Sequence, residues 1–343
     1  MFASLVVLVL AAAASAQQPG DQPPDPYALA VDAYRRGDFA AAAAIAEWPD
    51  ARLKQGAASL IVRSEWRRME AAAMLHTDLV LLMRVTDAKS IVTHMELAEN
   101  LVRRLPGNGV AGAENAPQFR ARWFELAVSL YLAMTEPDVA GALVTRGLRA
   151  VKSSAPLRTL SGAVEEMRAH IADGNMHDPQ VIAAMTMSRA RRALVLAEHE
   201  YRTALELDPD YGLARLRLGR VLALRRQLDA ARGELERVAS RESDDSLRYL
   251  AQLFLGGLAE SERDYETARR AYAAAADTIP GAQAAMIALS FAESMLGREA
   301  QASTLLAGTF ADAGAAVDDP WSAYQNGGLS VVALSWLRQE LAR

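Results

Sequence analysis

Arg263-Asp264-Tyr265-Glu266-Thr267-Ala268-Arg269-Arg270-Ala271-Tyr272-Ala273-Ala274-Ala275-Ala276-Asp277-Thr278-Ile279-Pro280 is the stretch that decides the fold of this chain. In it Ala268 is followed four residues later by Tyr272, three further on by Ala275, and the run closes on Ile279-Pro280. The pattern recurs. Ala197-x3-Tyr201-x2-Ala204 ends in Leu207-Asp208-Pro209, and Ala231 and Ala302 head two further copies. The four alanines are 34, 37 and 34 residues apart. Self-similarity at this period, with a small residue, an aromatic one turn on and a closing proline, marks stacked helix pairs. Each pair buries its face only against its neighbours. Such a surface is broad and carries little preorganised chemistry, which argues against catalysis.

Working outward, Leu218-Gly219 and Leu255-Gly256 supply a Leu-Gly pair in the preceding helices, and Arg263-Asp264-Tyr265 and Gly37-Asp38-Phe39 supply tight turns. On these residues the chain resembles the tetratricopeptide repeat (TPR) family, clearly over about 178–310 and fairly around 27–48. It departs from the family in lacking the pattern's tryptophan. Its second copy has Leu235 and Val238 in place of an aromatic and an alanine. The resemblance implies an all-α, right-handed solenoid of helix pairs with a capping helix at its C-terminal end.

The remaining segments read as follows. An apolar run from Phe2 to Ala14 leads to Ala14-Ser15-Ala16, an A-x-A cleavage pattern. It is too short to span a bilayer. A signal peptide over 1–16 is therefore expected, then a Pro-rich linker over 17–26, degenerate helical repeats over 27–175 and clear repeats over 176–311. A loop and a capping helix follow over 312–343. This reading makes the chain a periplasmic or secreted bacterial protein, cut after Ala16. The absence of cysteine agrees with an oxidising compartment and excludes disulfides and a cysteine-linked lipid anchor.

Helices are expected over Leu60–Arg84, Lys89–Arg104, Phe119–Met134 and Leu157–Ile171, because good helix formers dominate there with apolar residues at helical spacing. Pro106-Gly107-Asn108-Gly109 makes the best internal loop. Pro137 restarts the chain at a helix N-terminus. Ser243-Asp244-Asp245 suits a helix start by capping. Asp318 to Tyr324 is expected as a loop before a last helix at Leu329–Leu341.

Chemistry is sparse. The histidines, His76, His94, His170, His177 and His199, form no ligand pair. Adjacent acids such as Glu165-Glu166 point apart on a helix. No phosphate-binding loop or nucleophile elbow occurs. No catalytic, metal-binding or cofactor-binding residue is put forward. A net charge of −5 gives no sign of a nucleic-acid surface. The arginines at 189, 191, 192, 215, 217, 220, 225 and 226 either take an anionic ligand, such as a C-terminal carboxylate, or form a solvated face balanced by Glu198, Glu200, Glu206, Asp208 and Asp210; the solvated face is the expectation.

In the TPR family the first helix of each pair lines a concave groove. The resemblance places Leu213, Leu216, Arg220 and Leu224 in it from one pair. Leu250, Leu253, Gly257 and Glu260 come from the next, and Ile287, Phe291 and Met295 from the last. Exposed apolar residues so arranged take a peptide or helix. Whether the groove is open or filled by the C-terminal helix stays open, as does the oligomeric state. Trp321 and Tyr324 either pin the terminal segment or anchor a partner. The leading expectation is a non-catalytic extracytoplasmic scaffold for a protein or peptide partner, with no nucleic acid and no membrane span. The alternative is an enzyme or enzyme subunit with an unfamiliar site within 50–173.

Overall fold

A computed structural model describes residues 116–172, 179–311 and 319–325, with single positions at 33, 36, 98 and 99. The signal run, the linker, the helices expected before residue 105 and the Leu329–Leu341 helix lie outside the described residues. The chain divides into two compact units, Met1–Leu105 and Pro106–Arg343. The division falls at the loop read from Pro106-Gly107-Asn108-Gly109.

The described part of the second unit is a succession of antiparallel helices, with no strand among the described residues. The helices are α1 (Ala116–Ala133), α2 (Pro137–Ala150), α3 (Ala155–Ala172), α4 (Pro179–Leu207), α5 (Gly212–Leu224) and α6 (Leu228–Arg241). They continue with α7 (Asp245–Ser261), α8 (Tyr265–Thr278), α9 (Gln283–Met295), α10 (Glu299–Ala311) and α11 (Pro320–Gln325). Odd- and even-numbered helices from α1 to α10 pack as five consecutive pairs, each second helix also resting on the first helix of the next pair. This is an all-α helix-pair solenoid. The α3–α4 pair bridges the border between the degenerate and clear repeats read from sequence.

Local chemistry sets the helix ends. Pro137 opens α2 at a position whose N–H needs no helical partner. Asp244 caps α7 by accepting the N–H groups of Ser246 and Leu247 at 2.7 and 3.1 Å. Asp264 does the same for Thr267 at the start of α8, at 3.1 Å. Four turns within pairs share one form. Thr135, Arg226, Arg263 and Gly297 take φ of 58°, 62°, 63° and 75°. In each the following N–H reaches back five residues to close the helix, as Asp264 N does to the Ala259 carbonyl at 2.9 Å.

In three of the pairs a glycine on the first helix lets a large side chain of the second lie flat. A Cβ added to Gly162 would stand 2.4 Å from Tyr201 Cε1, one at Gly219 2.7 Å from Leu235 Cγ, and one at Gly256 2.2 Å from Tyr272 Cε1. Ser290 holds the corresponding place in α9, and its hydroxyl donates to the Ala302 carbonyl at 2.8 Å. The alanines that define the repeat, Ala197, Ala231, Ala268 and Ala302, are buried beside these contacts, as are Tyr201, Leu235 and Tyr272. Burial of such apolar side chains is the main stabilising term of the stack.

Candidate functional site

The first helices α1, α3, α5 and α7 touch one another in sequence, so their side chains line one common face. Its centre is a carboxylate. Glu166 on α3 accepts the Tyr201 hydroxyl at 2.8 Å and an Arg217 Nη1 hydrogen bond at 3.1 Å, both on Oε2. Its Oε1 accepts the Tyr324 hydroxyl at 2.8 Å and pairs with Arg220 Nε at 3.5 Å. Burial alone would raise the Glu166 carboxyl. Arg217 above all, then Arg220 and the two phenols, outweigh that and hold it below the usual carboxylate range. The Tyr324 phenol is pushed up by its own burial and by the Glu166 charge, so it stays a donor.

Five aromatic and cationic groups gather around this carboxylate. Arg217 lies 4.3 Å and Arg220 4.8 Å from the centre of the Tyr324 ring. Arg220 is also 5.3 Å from Phe254 on α7 and 5.1 Å from Trp321. Phe254 meets Trp321 and Tyr324 edge to face at 5.8 and 5.2 Å, and the latter two stack at 6.0 Å.

Trp321 and Tyr324 belong to α11, a helix where a loop was expected. Pro320 opens it, and Asp319 Oδ1 accepts the Trp321 N–H at 2.9 Å, which satisfies a first-turn donor. Asp319 also ties the segment down. Its Oδ1 accepts the Tyr249 hydroxyl of α7 at 3.0 Å and its Oδ2 the Ala284 N–H of α9 at 2.7 Å. One short segment thus engages α3, α5, α7 and α9.

The groove residues read from sequence divide. Leu216 and Leu250 are wholly buried, and Leu213 and Leu253 nearly so, within the core shared by α5, α7 and their partners. They are core, which corrects their assignment to the groove. The cause is helical rotation, since each residue advances about 100°: the inner face is carried by Arg217, one residue beyond Leu216, and by Phe254, one beyond Leu253. Arg220 does face the site. Glu260 accepts the Tyr272 hydroxyl at 2.8 Å. Leu224, Ile287, Phe291 and Met295 are exposed, the last three as a stripe at four-residue spacing on α9, each 44–46% exposed.

The arginine cluster is also more internal than expected. Arg189, Arg191, Arg192 and Arg226 are exposed, and Arg225 pairs with Glu198. Arg215 binds Glu234 at 2.6 Å, but Arg217 is only 3% exposed. The Glu166–Arg217 centre is not among the site residues read from sequence, although a signal exists. Gly162-x3-Glu166 faces Tyr201, and Gly256-x3-Glu260 faces Tyr272, whereas Gly219-x3-Ala223 faces Leu235, which has no hydroxyl.

Elsewhere, burial raises Glu125 on α1 to about 7, against the pull of the Ser154 hydroxyl and Arg122. A cleft between α2 and α3 is lined by Thr145, Ser161, Glu165 and Arg168 among others, with one acid and no histidine. Among the described residues no group of three acids or histidines could hold a metal. No helix there is long and apolar enough to cross a membrane.

No protein-family model and no curated protein matches the chain. Among solved structures it is similar to MamA, residues 41 to the end, from Desulfovibrio magneticus RS-1. That likeness has 19% identity and a TM-score of 0.40 over 56% of this chain and 94% of that one. It is similar to YrrB, titled a TPR protein with an unusual peptide-binding site, at 19% identity and a TM-score of 0.36 over 56% and 88%. It is also similar to the human IFIT1 dimer with m7Gppp-AAAA, at 13% identity and a TM-score of 0.47 over 80% and 64%.

Proposed function

We propose that this chain is a non-catalytic extracytoplasmic scaffold that holds a protein or peptide partner on the face formed by the first helices of its pairs. The observation that carries this reading is the segment Asp319–Tyr324. A six-residue segment lies across four successive first helices, held by side-chain hydrogen bonds and ring contacts, as a bound peptide would be. The stripe Ile287–Phe291–Met295, on the same helix α9 whose Ala284 N–H holds Asp319, leaves large apolar side chains in water, and such patches mark interaction sites. The apolar run and A-x-A pattern at the start of the sequence support export, with maturation after Ala16.

The test uses the mature chain as bait in an envelope extract, wild type beside Phe291→Glu. A captured protein lost with Phe291→Glu, while helix content is unchanged, supports the scaffold reading. Capture indifferent to Phe291→Glu overturns it for this face. N-terminal sequencing of native protein beginning at Gln17 supports export, and an intact Met1 in a cytoplasmic fraction overturns it.

A further inference from the structure

We infer that the inner face of α3, α5, α7 and α9 is a peptide site which this chain keeps occupied with its own Asp319–Tyr324. The partner that displaces the segment would be a peptide of the same chemistry: a carboxylate, an aromatic ring two residues on, and a hydroxyl-bearing ring five residues on. The inference rests on the scaffold reading and adds a resident occupant and a recognition pattern.

The contacts define what is recognised. A carboxylate fits where Asp319 sits, because a hydroxyl and a free helix N–H converge there, Tyr249 at 3.0 Å and Ala284 at 2.7 Å. A planar ring fits where Trp321 sits, against Phe254 and the Arg220 guanidinium. At the Tyr324 position a ring alone is insufficient. Glu166 Oε1 accepts the phenol at 2.8 Å, so an unsubstituted ring leaves that acceptor one donor short. Arg217 adds a second sign of a recognition site. Its Nη2 has no hydrogen-bond partner although the residue is buried, so one donor at the site is unspent by the resident segment.

The segment is suited to exchange. A helix of six residues has little stability of its own. Its affinity therefore comes from its side chains and from its tether to α10, which gives a high effective concentration. A partner with the same three groups and further contacts along the α9 stripe would outcompete it.

The probe is a synthetic peptide of residues 317–326, fluorescein-labelled at its N-terminus. Titrated into the full mature chain carrying Trp321→Ala and Tyr324→Ala together, it should bind at least tenfold more tightly than to wild type. The peptide with its Asp319 position changed to Asn and its Tyr324 position to Phe should lose at least tenfold. A second measurement keeps the wild-type side chains. The chain has no cysteine, and Ser322 is exposed, so Ser322→Cys accepts a single dye. Excess unlabelled peptide should lower the dye's anisotropy as α11 is released. If the double variant loses helix content, the labelled chain decides alone.

No tighter binding to a folded double variant, or no change of anisotropy, overturns the inference. A halving of mass by light scattering when α11 is vacated also overturns it, because the occupant would then come from a second copy. Should the peptide fail while capture from the extract still depends on Phe291, the scaffold reading stands and this inference alone falls.

Discussion

Tyr272 lies flat on the backbone of Gly256, so close that a Cβ there would stand 2.2 Å from its ring, and its hydroxyl turns back to Glu260 one turn further along α7. Gly256→Ala should therefore overpack the α7–α8 contact and cost about 1–3 kcal/mol in urea denaturation. Gly257→Ala is the control. Its nearest neighbour is the Tyr272 hydroxyl at 3.8 Å, so it should gain up to about 1 kcal/mol from helix propensity. Equal effects of the two would show that the helix contact is misassigned.

Leu216 and Phe291 should respond in opposite ways to a charge. Leu216→Glu buries a carboxylate in a core with no partner and should unfold the chain or lower its stability by at least about 3 kcal/mol. Phe291→Glu, on the exposed stripe, should stay within about 1 kcal/mol of wild type. Thermal unfolding followed by circular dichroism separates the two.

Removing the charge from Glu166 leaves Arg217 buried without compensation. Glu166→Gln should cost about 3–5 kcal/mol. In a double-mutant cycle with Arg217→Met, the combined loss should be well below the sum of the single losses. Additive losses would mean that the two side chains do not form a pair in solution.

Glu125 gives a pH signature. Its folded carboxyl sits at about 7, raised from 4.5 by burial. Between those values the folded state binds more protons than the unfolded one, so stability falls as pH rises from about 4.5 to 7 and levels off above. Glu125→Gln should remove this slope, a difference of no more than about 3 kcal/mol and less with solvent screening. Parallel stability curves for both proteins between pH 4.5 and 8 would count against it.

Arg263 is held at φ 63°, a conformation that costs a side chain roughly 1 kcal/mol and glycine almost nothing. Arg263→Gly should raise the urea midpoint by a fraction of this, since glycine also loosens the unfolded chain. A lower midpoint would indicate that the Arg263 side chain contributes more than its backbone strain costs.

The fold was legible because its determinants are local and repeated. Ala268, Tyr272 and Pro280 state the repeat within thirteen residues, and Asp244 states its own cap. The face was less legible. Helices as rich in leucine and alanine as α5 carry apolar residues on several sides, so Leu216 and Arg217 could exchange roles in a reading based on spacing. α11 was illegible for another reason. Six residues make fewer than two turns, too few for a period, and what makes them helical is Asp319 and Pro320 together with contacts 70 to 158 residues away.

A linear array of helix pairs ordinarily frays from its last unit, since each unit is held on one side only. Here the hydrogen bond from Tyr324 to Glu166 returns the chain from beyond the last described pair to the second. Fraying of α9 and α10 must then break a bond to a unit far up the array, so the end and the middle should exchange their amide hydrogens together rather than in order. Whatever displaces α11 would also undo that closure, turning one cooperative block into an array that opens from its end.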